Sequence, residues 1–168
     1  MTLGTLPQGD VRLLDTDIAQ GLLASTELAR VAYVAADGTP RVFPVMFHWN
    51  GTELVFATFA GAAKIKALRA KPDVAITIDT NAMPPQLLQL RGRAEVTDVD
   101  GLVPEYLLAH IRYSGSEEQG RANVADVDKP GLKMARIAIR PSWVGVVDFM
   151  TRLPGGATPE EFANRGRG

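Results

Sequence analysis

The sequence has no cysteine in 168 residues, which excludes disulfides, thiolate metal centres and cysteine nucleophiles. Imidazoles are scarce as well. His48 and His110 are the only two, and neither stands in a HExxH or HxH spacing. A zinc or non-haem iron centre would have to rest on oxygen ligands almost alone, so no metal is expected. Neither sign of charge prevails, with 18 Lys+Arg against 19 Asp+Glu and a net charge of −1. That balance provides no general attraction to nucleic acid or to an anionic membrane, and neither is expected as a partner. No apolar run approaches the ~20 residues of a membrane span. The first residues lack a basic stretch followed by an apolar one, so no signal peptide is expected and the default location is the cytoplasm. The GxSxG, GxGxxG and GxxxxGK[ST] patterns are missing too, which removes the commonest hydrolase, dinucleotide and nucleotide templates.

What is present is a 46% apolar chain, long enough for one hydrophobic core. The expected organisation is a single domain over residues 13–153, a loose arm over 1–12 and a disordered tail over 154–168. Ile18, Leu22 and Leu23 recur at helical spacing behind Asp15, a candidate cap. Leu28–Ala36, Arg41–Trp49 and Leu54–Thr58 read as three strands, separated by the turn signals Asp37-Gly38 and Asn50-Gly51. They suggest a β-meander, with Pro44 marking an edge, a bulge or a ligand because it cannot donate to a ladder. Gly61–Lys71 reads as a helix stopped by Pro72. Asp73–Asp79 reads as an apolar strand buried on both faces, and Leu87–Val99 as a longer strand that Gly92 bends. A helix over Gly101–Arg112 follows, then a polar stretch over 114–129 with a helical turn near 121–127. Lys133–Ile139 and Trp143–Met150 read as two final strands. The expected class is mainly β with an α+β make-up: an antiparallel split β-barrel of six or seven strands carrying peripheral helices.

One segment points to chemistry. Around Thr58-Phe59-Ala60-Gly61-Ala62-Ala63-Lys64 a strand ends, small residues follow, and a helix begins with a lysine in its first turn. The helix dipole disfavours a cation there. The placement is explained if an anion occupies the same spot, held by free backbone N–H groups and neutralised by the ammonium. Small side chains at Ala62 and Ala63 would let a phosphate reach the backbone, and Thr58 could add a hydroxyl. A solvated basic face formed by Lys64, Lys66, Arg69 and Lys71 is the plainer alternative.

The ordered set Asp37-Gly38-Thr39-Pro40-Arg41-Val42-Phe43-Pro44-Val45, Asn50-Gly51, Leu54–Thr58, Lys64…Lys71-Pro72-Asp73-Val74 and Leu90-Arg91-Gly92-Arg93-Ala94 resembles the pyridoxamine 5′-phosphate oxidase-like split-barrel superfamily. The resemblance implies a homodimer, with FMN or the deazaflavin coenzyme F-420 in a groove between protomers. It further implies that Arg41, Val42, Phe43, Pro44 and Val45 flank the ring and ribityl chain. Ala57 and Thr58 would lie beside the chain, with Ala62, Ala63 and Lys64 at the phosphate. A small-molecule substrate would enter near the 100–130 insertion. Two departures argue against the vitamin B6 reaction itself: Ala62-Ala63 stand where such oxidases carry Ser-Arg, and Met46 stands where they carry Lys. The implied activity is an FMN- or F-420-dependent oxidoreductase, and no acid or base residue is named. A non-enzymatic FMN- or haem-binding carrier or sensor on the same barrel is the alternative, with His48 or His110 as haem ligand.

Overall fold

The computed structural model describes residues 6–165. Seven strands form one antiparallel sheet: β1 (Ala29–Val34), β2 (Pro40–Val45), β3 (His48–Trp49), β4 (Leu54–Phe59), β5 (Asp73–Asp79), β6 (Leu87–Asp100) and β7 (Lys133–Val147). Their order is β2-β1-β5-β6-β7-β4-β3. Five helices accompany them among the described residues: α1 (Asp17–Ala24), α2 (Ala63–Ala70), α3 (Pro104–Ser114), α4 (Glu117–Val124) and α5 (Pro159–Arg165). The sheet curls around one core containing Phe47, Phe56, Ile76, Leu88, Leu90 and Ile137 without closing, so the expected split barrel is the observed architecture.

The split lies where the sequence suggested continuity. Arg41–Trp49 is two strands, not one, and the three-strand meander does not form. β2 pairs with β1 while β3 pairs with β4, placing the two on opposite edges of the sheet. Phe47 is the reason. Its side chain is fully buried, which turns the chain off the strand path and into the core. The Arg112 guanidinium lies 4.6 Å from the Phe47 ring centre, and it also donates to the Phe47 carbonyl.

Several local readings are corrected by the same packing. β5 alternates buried Val74, Ile76 and Ile78 with an exposed Ala75, so only one of its faces is buried in the protomer. The last two expected strands are the single strand β7, which runs through Pro141. A bulge accommodates the proline: Arg91 faces Trp143 and Gly92 faces Pro141, leaving Ser142 as the extra residue. Gly92 is required at this point, because a Cβ there would sit 2.6 Å from the Arg140 carbonyl oxygen. Thr16, not Asp15, caps α1 by accepting from the Ala19 N–H, and Asp15 ends a preceding 3-10 turn. The polar stretch expected to hold one helical turn contains α4, whose Gly120 lies against Ile111 of α3 too closely for any Cβ.

The two ends are more ordered than their composition suggests. Within the arm, Leu6 is buried and the Gln8 amide bonds both backbone groups of Val146, at 2.7 and 2.9 Å. After Leu153 come a 3-10 turn, a buried Ala157 and α5. Arg152 ties both ends to β7, donating to the carbonyls of Leu6 (2.7 Å) and Val146 (3.1 Å). Residues 1–5 and 166–168, to which the arm and tail readings also extended, lie outside the described residues.

Candidate functional site

The turn from β4 into α2 passes through Gly61, at φ 86°, and starts the helix at Ala62 with no side-chain cap. Helix geometry leaves the Ala63 and Lys64 N–H groups without partners inside the helix, and no acidic residue occupies the first turn. Lys64 is half-buried rather than solvated, with its Nζ 4.4 Å from the centre of the Phe43 ring. Phe43 belongs to β2 and packs edge-on against Tyr33 and Phe56, at 5.7 and 5.6 Å between ring centres. A cation–π contact of roughly 0.5–2 kcal/mol therefore joins the helix start to β2. Beside it, Ala36, Gly61, Ala62, Ala63, Lys66 and Arg69 line a surface cleft of about 750 Å³. Arg69 is paired with Asp98 at 2.7 Å.

β2 is an edge strand. Thr39, just before it, accepts a bond from the Ala35 N–H of the β1 side. In an antiparallel ladder alternate residues turn both backbone groups the same way. Arg41, Phe43 and Val45 therefore face β1, and Pro40, Val42 and Pro44 face the open edge. Pro44 costs no ladder bond there. The edge presents three carbonyls and one N–H, that of Val42, whose side chain is 68% exposed.

The five candidate residues on β2 divide accordingly. Phe43 meets Lys64, and Val45 meets Ala57 in a recess described below. Val42 and Pro44 are exposed on the other side of the strand. Arg41 turns back to the hairpin and pairs with Asp37 at 2.9 Å. Thr58 is half-buried on β4 opposite Ala135.

A second feature lies on α3, where the sequence reading placed a substrate entrance and His110 as one of two candidate haem ligands. Tyr106 and His110, four residues apart, share one helix face, with ring centres 4.6 Å apart. Together with Val45, Met46, Phe56, Ala57, Glu105 and Ala109 they enclose a recess of about 50 Å³. His110 Nε2 is buried with no protein partner, and burial lowers the pKa of the ring. Nearby, Arg136 bonds Glu105 at 2.7 Å and lies 3.5 Å from Glu53. Burial opposes ionisation of Glu105. The Arg136 hydrogen bond and charge outweigh it and hold the carboxyl below its ordinary range. The i,i+4 spacing of Tyr106 and His110 was visible in sequence, but what they face was not. Among the described residues no three His, Asp or Glu side chains converge as a metal site, and no helix is long and apolar enough to cross a membrane.

Comparison with known proteins gives this geometry a context. None of the curated proteins matches the sequence significantly. Among solved structures, an F-420 reductase aligns at 29% identity with a TM-score of 0.59, covering 75% of this chain and 94% of its own. General stress protein 26 from Bacillus anthracis aligns at 15% identity and TM-score 0.56, with 82% and 95% covered. HupZ from Group A Streptococcus aligns at 15% identity and TM-score 0.51, with 77% and 94% covered. At 15% the likeness shows the fold alone. The family model for pyridoxamine 5′-phosphate oxidase matches residues 16–144, most of the chain. From strand order, open barrel and this match, the chain belongs to the pyridoxamine 5′-phosphate oxidase-like superfamily of FMN- and F-420-binding split barrels.

Proposed function

We propose that the protein is a flavin- or deazaflavin-dependent oxidoreductase acting on a small molecule, with its cofactor in a groove completed by a second copy of the chain. The carrying observation is the junction of Lys64 with Phe43, which brings the α2 start against the open edge strand. The residues present fit the cofactor. Uncapped N–H groups, an ammonium and the small Gly61, Ala62 and Ala63 suit a phosphate. Carbonyls and one N–H on an unpaired edge suit the polar rim of a planar ring. Lys64 would neutralise the phosphate, with Ala62 and Ala63 giving it access to the backbone and Thr58 offering a hydroxyl. Phe43 and Val45 would shield the inner side of the ring, while Val42 and Pro44 lie toward the partner. Such a cofactor supplies hydride chemistry when bound, leaving the protein to position the reactants and exclude water.

Ala62 and Ala63 bring no side-chain donors to the phosphate, so Lys64 carries more of the anion's charge. The F-420 reductase, matched over three quarters of this chain, supports including the deazaflavin. The dimer reading rests on the exposed Pro40, Val42 and Pro44 of β2 and on the unburied face of β5. The recess beside His110, of about 50 Å³, is too small for a porphyrin, so a haem held by His110 would not sit inside it; His48 remains the other candidate ligand of the haem alternative.

The test is absorbance and fluorescence titration of purified protein with FMN, F-420 and haem. Saturable uptake of FMN or F-420, followed by reoxidation of the chemically reduced, bound cofactor by an added electron acceptor, is the expected result. Uptake of haem alone, or of none of the three, overturns the reading.

A further inference from the structure

The insertion between β6 and β7 leaves the sheet through a narrow neck. Gly101 and Gly131, at φ 98° and 87°, stand at its two ends, and the Gly101 N–H donates to the Leu132 carbonyl at 2.8 Å. Glycines so placed can absorb the backbone rotation of a hinge. Beyond the neck, α3 and α4 are locked into one body. Gly120 of α4 lies directly against the Ile111 backbone, and Asn123 donates to the Ser114 hydroxyl at 2.8 Å.

This body rests on the sheet with little apolar burial. Ala109 is the only buried residue of α3, and polar ties hold the end of the helix far from the neck. There Arg112 donates to the Phe47 carbonyl, and Tyr113 donates to the Glu27 carbonyl at 2.8 Å. Glu105, near the neck, adds its ion pair with Arg136. The closed arrangement also leaves polar atoms dry. Among the described residues, the buried side-chain polar atoms without a hydrogen-bond partner are His110 Nε2 and Arg112 Nη1, and both belong to α3. An unpaired buried group opposes closure, and lifting α3 would let water reach both. Between the neck and the far ties lies the recess, with Tyr106, Ala109 and His110 on the helix side and Val45, Met46 and Ala57 on the sheet side.

We infer that the α3–α4 unit is a lid, hinged at the Gly101–Gly131 neck and latched by Arg112 and Tyr113. Its opening widens the recess into the passage by which the small-molecule substrate reaches β2 and β4. The passage rests on the proposed function, because Val45 and Ala57 are among the residues proposed to flank the cofactor. The motion itself depends on this chain's own residues.

The absence of cysteine makes every introduced thiol a clean reporter. Ala109→Cys and Ala57→Cys place one on each wall of the recess. Ala135→Cys places one in the main core, and Leu108→Cys one on the exposed side of α3. Each variant is labelled with dithiodipyridine in the absence of denaturant. The expected result is a common rate for the two recess thiols, well below that of Leu108→Cys and about 100-fold or more above that of Ala135→Cys. Local opening takes less free energy than global unfolding. Adding Tyr113→Phe, which removes one latch bond, should speed the recess thiols about 3- to 10-fold and leave Ala135→Cys unchanged. Recess thiols that match either control overturn the lid, as does a Tyr113→Phe effect that is nil or shared with the core. Either recess reporter decides if the other variant fails to fold. FMN and F-420 titrations of the unlabelled wild type separate the two readings. Uptake with recess thiols as slow as the core removes only the lid, and opening without uptake removes only the cofactor that the passage would serve.

Discussion

The two edges of the sheet are made by segments only two residues apart in sequence, Pro40–Val45 and His48–Trp49, yet they are built in opposite ways. The β2 edge is open, with exposed prolines, outward carbonyls and a largely exposed valine. The β3 edge is two residues long and lies under α3. There the mostly buried Arg136, Glu53 and Glu105 fix the helix to the sheet, with side chains 26%, 22% and 15% exposed. Unpaired strand edges are a liability unless blunted or used. The contrast is between an edge sealed by side chains and an edge left open; under the proposed function the open edge takes the cofactor and a second chain.

The link between the edges offers the largest effect. Phe47→Ala should lower stability by about 3–5 kcal/mol in urea unfolding, since it removes a fully buried ring at the crossing point. A loss near zero would mean that the crossing does not depend on this anchor. On the open side, Lys64→Ala should weaken FMN or F-420 binding by about 1.5–3 kcal/mol in isothermal titration, while stability falls by no more than the roughly 0.5–2 kcal/mol of the lost cation–π contact. Unchanged affinity would remove Lys64 from the site. Gly92→Ala should cost roughly 1–3 kcal/mol of stability, because its Cβ would meet the Arg140 carbonyl.

The sealed edge should also respond to acid. Glu105 has a folded pKa held below its ordinary 4.5. Its contribution is thus complete above that value and is lost as pH falls through the lowered one. In Arg136→Met the guanidinium's hydrogen bond and charge are gone, and burial then acts on Glu105 against only its own backbone N–H and His48, so its pKa should rise and this part of the pH dependence should shrink. Urea midpoints of the variant and wild type from pH 3 to 6 would show it. The smallest effect belongs to Val42→Asp. Protomer stability should stay within about 0.5 kcal/mol, while light scattering should report a shift from dimer to monomer. A variant that remains dimeric would place the interface elsewhere.

Much of this was legible in the sequence because it depends on local rules. Asp37-Gly38 and Asn50-Gly51 do close hairpins, Val74, Ile76 and Ile78 do lie on a strand, and Gly92 does mark the bulge. Lys64 at a helix start could be noticed because it runs against the dipole. What could not be read was pairing at a distance. Phe47 resembles any strand residue until the core claims its ring, and Pro141 resembles a strand terminator until a bulge absorbs it. His110 resembles ordinary packing until the Val45–Met46 bend is brought across from β2.

By itself, then, the sequence determined most of the elements, the antiparallel class and the small-residue corner that ends in Lys64, because periodicity, turn chemistry and capping act over a few residues. Only the tertiary structure decided that β2 and β3 part to opposite edges, that Lys64 meets Phe43, and that His110 comes to the wall of a recess shared with Val45 and Ala57. Those outcomes come from burying one shared core, and no stretch of chain specifies that burial alone.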